Sequence, residues 1–445
     1  MRYLRNLVMM CFVLSILTGC STMESLFGDE KDKPLEGERI SILELQKNLE
    51  PDSAALEGQG FIAPAPWRNE FWPQAGGYPN HAMQNLALNE GTLQLAWKAK
   101  IGKGSTRQLP LTAQPIVVDG RVFTLDTDFR LSSFDVANGK RLWQIDVSDP
   151  DEDDPVISGG VSYSRGNLYV TNGYDELLIV TPATGDIVKR IHLPAPSRAA
   201  PTIMDIRMFV ITLDNRLIAM DSENGQVLWE YAGISENSGL IGAASPAASR
   251  EIVIPAFSSG EIFALLVENG SVAWSENLSS FRRTGGLSGI SDIRGLPVID
   301  KGLVIAISFG GRIMAIDERT GTRIWQREIG GTETPWVAGN HMFVISSEGE
   351  LVALGRDNGV IRWVTQLPRY KDAKDRKGTI FWTGPVLAGE RLIVVSSDGR
   401  MAEIDPTDGK VIRKQEIDAP IRISPIVAGG TLYLLGEDGT LMAFR

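Results

Sequence analysis

One interval constrains this chain more than any other feature. Counting from a proline that opens an apolar strand to a tryptophan further on gives 28 residues each time: Pro115 to Trp143, Pro201 to Trp229, Pro246 to Trp274, Pro297 to Trp325 and Pro335 to Trp363. Two more copies, Val161 to Lys189 and Pro385 to Arg413, keep the interval with other residues at one or both ends. A glycine always stands four residues before the last position, at 139, 185, 225, 270, 321, 359 and 409. Seven complete units therefore recur at a spacing of about 40 to 50 residues, the range of propeller blades and solenoid repeats. Lengths inside a unit are constant, whereas the connections between units run to 18, 12, 17, 23, 10 and 22 residues. The variable loops thus all occupy one kind of connection, from the last strand of one unit to the first of the next, and crowd onto one face.

Each unit reads as four short strands. In the fifth copy "GLPVID" and "LVIAIS" flank a Lys-Gly turn, "RIMAID" follows a Gly-Gly pair, and "TRIWQREI" follows "ERTG". Short Val- and Ile-rich runs separated by Asp, Asn and Gly are hairpin signals, and nothing from residue 110 onward sustains a helical period. An eighth unit opens at Pro425 and stops after three strands at Arg445, while an orphan strand, "GTLQLAWKAKIG" around Trp97, precedes the first full unit. A propeller closes its ring by completing the last blade with a strand from the other terminus, which removes exposed strand edges. The expected fold is therefore an all-β, eight-bladed propeller of four-stranded blades, with residues 93–100 pairing onto 440–445. The six repeat tryptophans, Trp97, Trp143, Trp229, Trp274, Trp325 and Trp363, are expected to be structural anchors wedged from each outer strand against the neighbouring sheet.

The other end of the chain sets an address. "MRYLRNLVMMCFVLSILTGCS" has two arginines, an apolar stretch from Leu7 to Leu17 and small residues before Cys20. That is a secretory signal, too short to span a bilayer as a helix. Residues 1–19 are expected to be a signal peptide, 20–66 a flexible tether with a short helix near "ISILELQKNLE", and 67–445 the propeller. "PWRNEFWPQAGGYPNHAMQNL" is expected to lie across the propeller before the closing strand. Cys11 and Cys20 are the only cysteines, so a mature chain beginning at Cys20 has no disulfide. Its formal charge moves from −11 to −13 as Arg2 and Arg5 leave, which argues against nucleic acid as a partner.

Reactive chemistry is sparse. His81, His192 and His341 lie in separate units without ligand spacing, so no metal site is expected and each is read as a surface or turn residue. The acidic run 148–155, "SDPDEDDP", lacks the alternation of a calcium loop and reads as a solvated connection, as does the mixed-charge stretch 369–378. "GGLSGISDIRG" at 285–295 is glycine-rich but opens no helix, so it offers no phosphate cradle.

The pattern A-x-D-x-x-x-G-x-x-x-W, seen as "AIDERTGTRIW", resembles the repeats of pyrroloquinoline-quinone dehydrogenases, and "LTGC" at 17–20 resembles a bacterial lipobox. Eight such repeats behind a lipobox are similar to the BamB family of lipoproteins of the outer-membrane β-barrel assembly machine. The resemblance implies lipidation at Cys20, and several acyl chains anchor stably where one does not. Ser21 rather than Asp after the cysteine favours the outer membrane, with the chain on its periplasmic face. It implies a non-enzymatic scaffold without cofactor that meets BamA-like POTRA domains, other components of the BAM complex and unfolded outer-membrane proteins. The family's loop contacts, a Leu-Arg pair and an Asp-x-Asp, fall here on Leu240 with Ile241 and on Asp292 with Arg294. Ile241 stands in place of the family's Arg and Arg294 in place of its second Asp. Two alternatives remain: a quinone-dependent periplasmic dehydrogenase, whose adjacent Cys-Cys pair has no counterpart here, and a binding propeller for peptide or polysaccharide.

Overall fold

In the computed structural model, alternating strands explain why the apolar runs are continuous. The strand Asn167–Thr171 sends Leu168 and Val170 towards Ile116, Phe123 and Leu125 of the preceding sheet. Its Tyr169 turns the other way, towards Ile203, Met208 and Val210 of the following one. A central strand sandwiched between two sheets needs apolar residues on both faces, so the period-2 polarity of a half-exposed strand is lost. Outer strands recover it: Arg141–Asp146 alternates exposed and half-buried positions.

The structure describes residues 49–52, 60–152, 154–235, 240, 242–279 and 292–445. Cys20, the signal peptide, the expected tether helix up to residue 48, and Ile241 lie outside the described residues. Among those described there is no helix, and eight four-stranded antiparallel sheets follow one another around a ring. Blade 1 comprises Ile116–Val118, Arg121–Leu125, Arg130–Asp135 and Arg141–Asp146. Blades 2 to 7 repeat it at 161–192, 202–232, 247–277, 298–327, 336–366 and 382–416. The first hairpin of a blade turns tightly with two positive φ values, as at Asp119 (48°) and Gly120 (71°) or Lys301 (46°) and Gly302 (81°), the geometry that suits twisted antiparallel strands.

Blade 8 is shared between the termini. Leu95–Lys100 pairs antiparallel with Thr440–Phe444, in the register Trp97 to Ala443 and Lys100 to Thr440. Reciprocal backbone bonds between Gln94 and Arg445, at 2.8 and 2.9 Å, extend the pairing. The junction to blade 7 carries a charge cluster: Glu403 ion-pairs with Arg391 at 2.6 Å and accepts from Arg413 at 2.7 Å, and Arg391 Nη2 donates to Asn89 O at 2.7 Å.

The segment between residues 69 and 89 makes a full circuit of the inner strands. Its backbone or side chains bond Gly429 in blade 8, Val117 in blade 1, Tyr163 in blade 2 and Ile203 in blade 3. It continues to Ala248 in blade 4, Ile299 in blade 5, Trp336 in blade 6 and Leu387 in blade 7. Trp72, Met83 and Leu86 on this segment are buried. The segment therefore closes the channel near the hairpin ends of the inner strands, away from the variable loops. Two expectations are corrected by this packing. His81 and His341, read as surface or turn residues, each follow a turn but are only 4% and 2% exposed, because the ring segment and an inner hairpin carry them into the core. The stretch around 369–378 is not a plain loop but an extra hairpin, Tyr370–Asp372 with Lys377–Thr379, tied down by Arg369 pairing with Glu348 at 2.6 Å.

Candidate functional site

The six repeat tryptophans share one local design. Every indole Nε1 donates to a backbone carbonyl of the following blade: Trp97 to Val136, Trp143 to Pro182, Trp229 to Val267, Trp274 to Glu318, Trp325 to Arg356 and Trp363 to Pro406, at 2.8–3.1 Å. The ring then lies on the turn glycine of that blade. A Cβ built on Gly359, for example, would sit 2.6 Å from two carbons of the Trp325 ring, and Gly359 has φ +63°. The glycine that precedes each tryptophan by four residues thus serves the tryptophan of the previous blade. Where the second blade carries Lys189 instead, the ammonium caps Asn224 O at 2.5 Å; in the seventh, Arg413 reaches Gly91 O at 3.2 Å. Trp97, Trp274, Trp325 and Trp363 are buried, whereas Trp143 and Trp229 are only partly so.

The variable loops gather at the channel mouth opposite the ring segment, and there Leu240 and Asp292 meet. The Leu240 amide donates to Asp292 Oδ2 at 2.5 Å. Asp292 is 7% exposed, and its burial pushes the carboxyl above its ordinary range, opposed by that bond and by the Arg294 charge. Asp292, which the resemblance offers as a partner contact, therefore has its carboxylate spent inside the protein, latching the loop before blade 4 to the loop before blade 5. Leu240 is half-buried and Arg294 is exposed, with its guanidinium beside Gly242.

Inside the mouth lies a cavity of about 160 Å³, floored by Trp72, Gly76 and His81 and walled by the residues that precede the inner strands. Three arginines line it, Arg198, Arg294 and Arg422, together with Glu333. Glu333 accepts from the Thr383 hydroxyl, from Ser424 Oγ at 3.0 Å and from the Gly384 amide at 3.2 Å. Burial raises its pKa against those bonds and the Arg294 charge. His81 Nδ1 lies 2.7 Å from Pro297 O, and burial lowers its pKa to about 4, so the ring is neutral and Nδ1 donates. Sequence reading missed this cavity because its walls come from two to four residues of each of eight separate loops, whose only shared signal is their position around the opening of each inner strand. Among the described residues no three His, Cys, Asp or Glu side chains gather as a metal site, and Asp149 of the acidic run instead caps the Asp151 amide at 2.9 Å.

Comparison with known proteins places this geometry. A family model described as outer membrane protein assembly factor BamB matches residues 53–156, 130–365 and 370–445. Proteins of that description from Escherichia coli (strain K12) and Yersinia pestis are 24% and 23% identical over 358 and 354 residues. Those alignments cover 79% and 78% of this chain, and 89% and 88% of the relatives. The crystal structure of BamB from Moraxella catarrhalis superposes with a TM-score of 0.68 at 21% identity, over 80% of this chain and all of that one. A quinohemoprotein alcohol dehydrogenase from Comamonas testosteroni superposes with a TM-score of 0.66 at 13% identity, over 88% of this chain and 83% of that one, a likeness of fold alone.

Proposed function

The chain belongs to the outer membrane protein assembly factor BamB family, and from that premise we propose that it is a non-enzymatic scaffold lipoprotein of the outer-membrane β-barrel assembly complex. It binds BamA-like POTRA domains and helps assemble and insert outer-membrane β-barrel proteins. The observation that carries this reading is the family match, which runs through nearly the whole propeller and both of its closing strands. The signal at residues 1–19 is removed, Cys20 takes the lipid, and the tether holds the propeller at the periplasmic face of the outer membrane. Cavity size supports a scaffold over a quinone enzyme: about 160 Å³ falls short of the roughly 300–1,000 Å³ of organic-ligand pockets.

The partner surface is the loop face around Leu240 and Arg294, with Ile241 next to Leu240 in sequence, and it is held in shape by Asp292 from within. Half-buried Leu240 supplies apolar area and exposed Arg294 supplies charge, the division between anchor and rim found in protein interfaces. Leu240→Arg with Arg294→Glu is expected to abolish co-purification with a BamA-like POTRA fragment. Because Arg294 also acts on the buried Asp292 and Glu333 carboxyls, Leu240→Arg alone is the fold control, and its melting temperature stays at the wild-type value, since surface changes alter stability by no more than about 0.5 kcal/mol. Wild-type recovery of the complex by the double variant overturns the placement. Cys20→Ala is expected to lose outer-membrane association in fractionation; unchanged association overturns the anchor.

A further inference from the structure

We propose that the central cavity is a binding site for one small oxyanion, of carboxylate or phosphate chemistry, held by Arg198. Of the arginines lining the cavity, two have their charge answered by the protein. Arg422 pairs with Glu437 at 3.1 Å and lies 4.3 Å over the Phe381 ring. Arg294 faces the carboxylates of Asp292 and Glu333. Glu333 in turn is held through Oε2 by Thr383, Ser424 and Gly384, and no ion pair joins it to Arg198 among the described residues.

Arg198 stands apart. It precedes blade 3, its Nε is buried, and no protein group among the described residues bonds it or pairs with it. Burial alone acts on its pKa, downward, with no carboxylate holding it up. A partly desolvated guanidinium without a partner is a costly arrangement, and its five-donor fork matches the geometry of a carboxylate or phosphate. A second orphan lines the same cavity. His81 is 4% exposed, its Nδ1 hydrogen is used on Pro297 O, and its Nε2 is a buried acceptor without a partner. An anionic oxygen for Arg198 and a hydroxyl for His81 occur together in hydrogen phosphate and in small hydroxy-carboxylates. About 160 Å³ is room enough for such an ion with its waters. The surrounding protein is acidic, with a formal charge of −11, so this cationic recess is a local inversion rather than a general property of the surface.

The test is calorimetric titration of the purified full-length protein with inorganic phosphate, and separately with acetate and lactate, at constant ionic strength held by chloride. The wild type is expected to saturate at one ion per chain. Arg198→Gln is expected to weaken binding about ten-fold or more, the loss that follows from removing a charged hydrogen bond. Arg165→Gln, a change in the first-hairpin turn of blade 2 at an exposed residue paired with Glu223, is expected to bind as the wild type does. Preference for phosphate over both carboxylates, or the reverse, identifies the ligand chemistry. Arg198→Gln should keep or exceed the wild-type melting temperature, because an unpaired, half-buried charge has been removed. If it melts lower, Arg198→Lys decides, since it keeps the charge and loses the fork. No saturable binding of any of the three ions, or wild-type affinity in the Arg198 variants, overturns the proposal.

Discussion

Stacking of each repeat tryptophan on the next blade's glycine can be tested by a double-mutant cycle at Trp325 and Gly359. Trp325 is 8% exposed, its indole donates to Arg356 O at 2.8 Å, and its ring covers Gly359. Trp325→Ala removes a large core side chain and should cost about 3–5 kcal/mol. Gly359→Ala carries two penalties. Its φ of +63° costs an L-residue about 1–2 kcal/mol, and a Cβ 2.6 Å from two ring carbons adds an overpacking cost of about 1–3 kcal/mol. In the Trp325→Ala background the ring is gone, so only the backbone penalty survives. The double variant should therefore be less destabilised than the sum of the singles by about 1–3 kcal/mol. Gly302→Ala is the control, with φ +81° and nothing within 4 Å of the added carbon, and it should add to Trp325→Ala without coupling. Urea unfolding followed by far-UV circular dichroism, with slopes compared as well as midpoints, measures all of these. Additivity of Trp325→Ala and Gly359→Ala to within about 0.5 kcal/mol would refute the stacking argument.

The remaining expectations address closure, the charge cluster and pH. Truncation after Ser424 deletes the three strands onto which Leu95–Lys100 closes, exposes edges on both neighbours and should abolish the cooperative transition; a truncated chain that melts like the full one contradicts ring closure. Glu403→Gln leaves Arg391, 4% exposed, without its counter-charge and should cost about 3–5 kcal/mol in thermal or urea unfolding. A loss below about 1 kcal/mol would mean that the cluster is solvated. Glu333 has its folded pKa raised by burial, so the native state holds its proton more tightly than the unfolded state. Stability from this group is therefore greatest below the unfolded value and is lost as pH rises through the folded one, with no further change above it. Glu333→Gln should remove that slope and be stabilising at neutral pH relative to its effect at pH 4; an identical pH dependence in variant and wild type contradicts it.

Local chemistry and repetition made much of the fold legible in the sequence. A constant 28-residue interval, tight-turn glycines and a fragment at each end require four-stranded blades closed by the N-terminal strand, because only a ring uses both fragments. The family resemblance was legible for the same reason, since its motif is the repeat itself. Other facts depend on residues far apart in sequence meeting at one point. The turn glycine is read from sequence as a turn, yet its partner is the tryptophan of the previous blade, as with Gly359 and Trp325, 34 positions earlier. Asp292 looks like an exposed loop acid until the Leu240 amide, 52 residues away, is seen to take its carboxylate inside. His81 looks solvent-facing until the ring segment presses it against Pro297, 216 residues on. Arg198 differs from the other channel arginines by no property of its own neighbourhood in the chain. It differs because Glu437 stands beside Arg422 and the Asp292 and Glu333 carboxylates lie near Arg294, while no described carboxylate pairs with Arg198. Burial and charge pairing are sums over neighbours in space, and in a closed ring those neighbours are set by the circuit rather than by sequence distance.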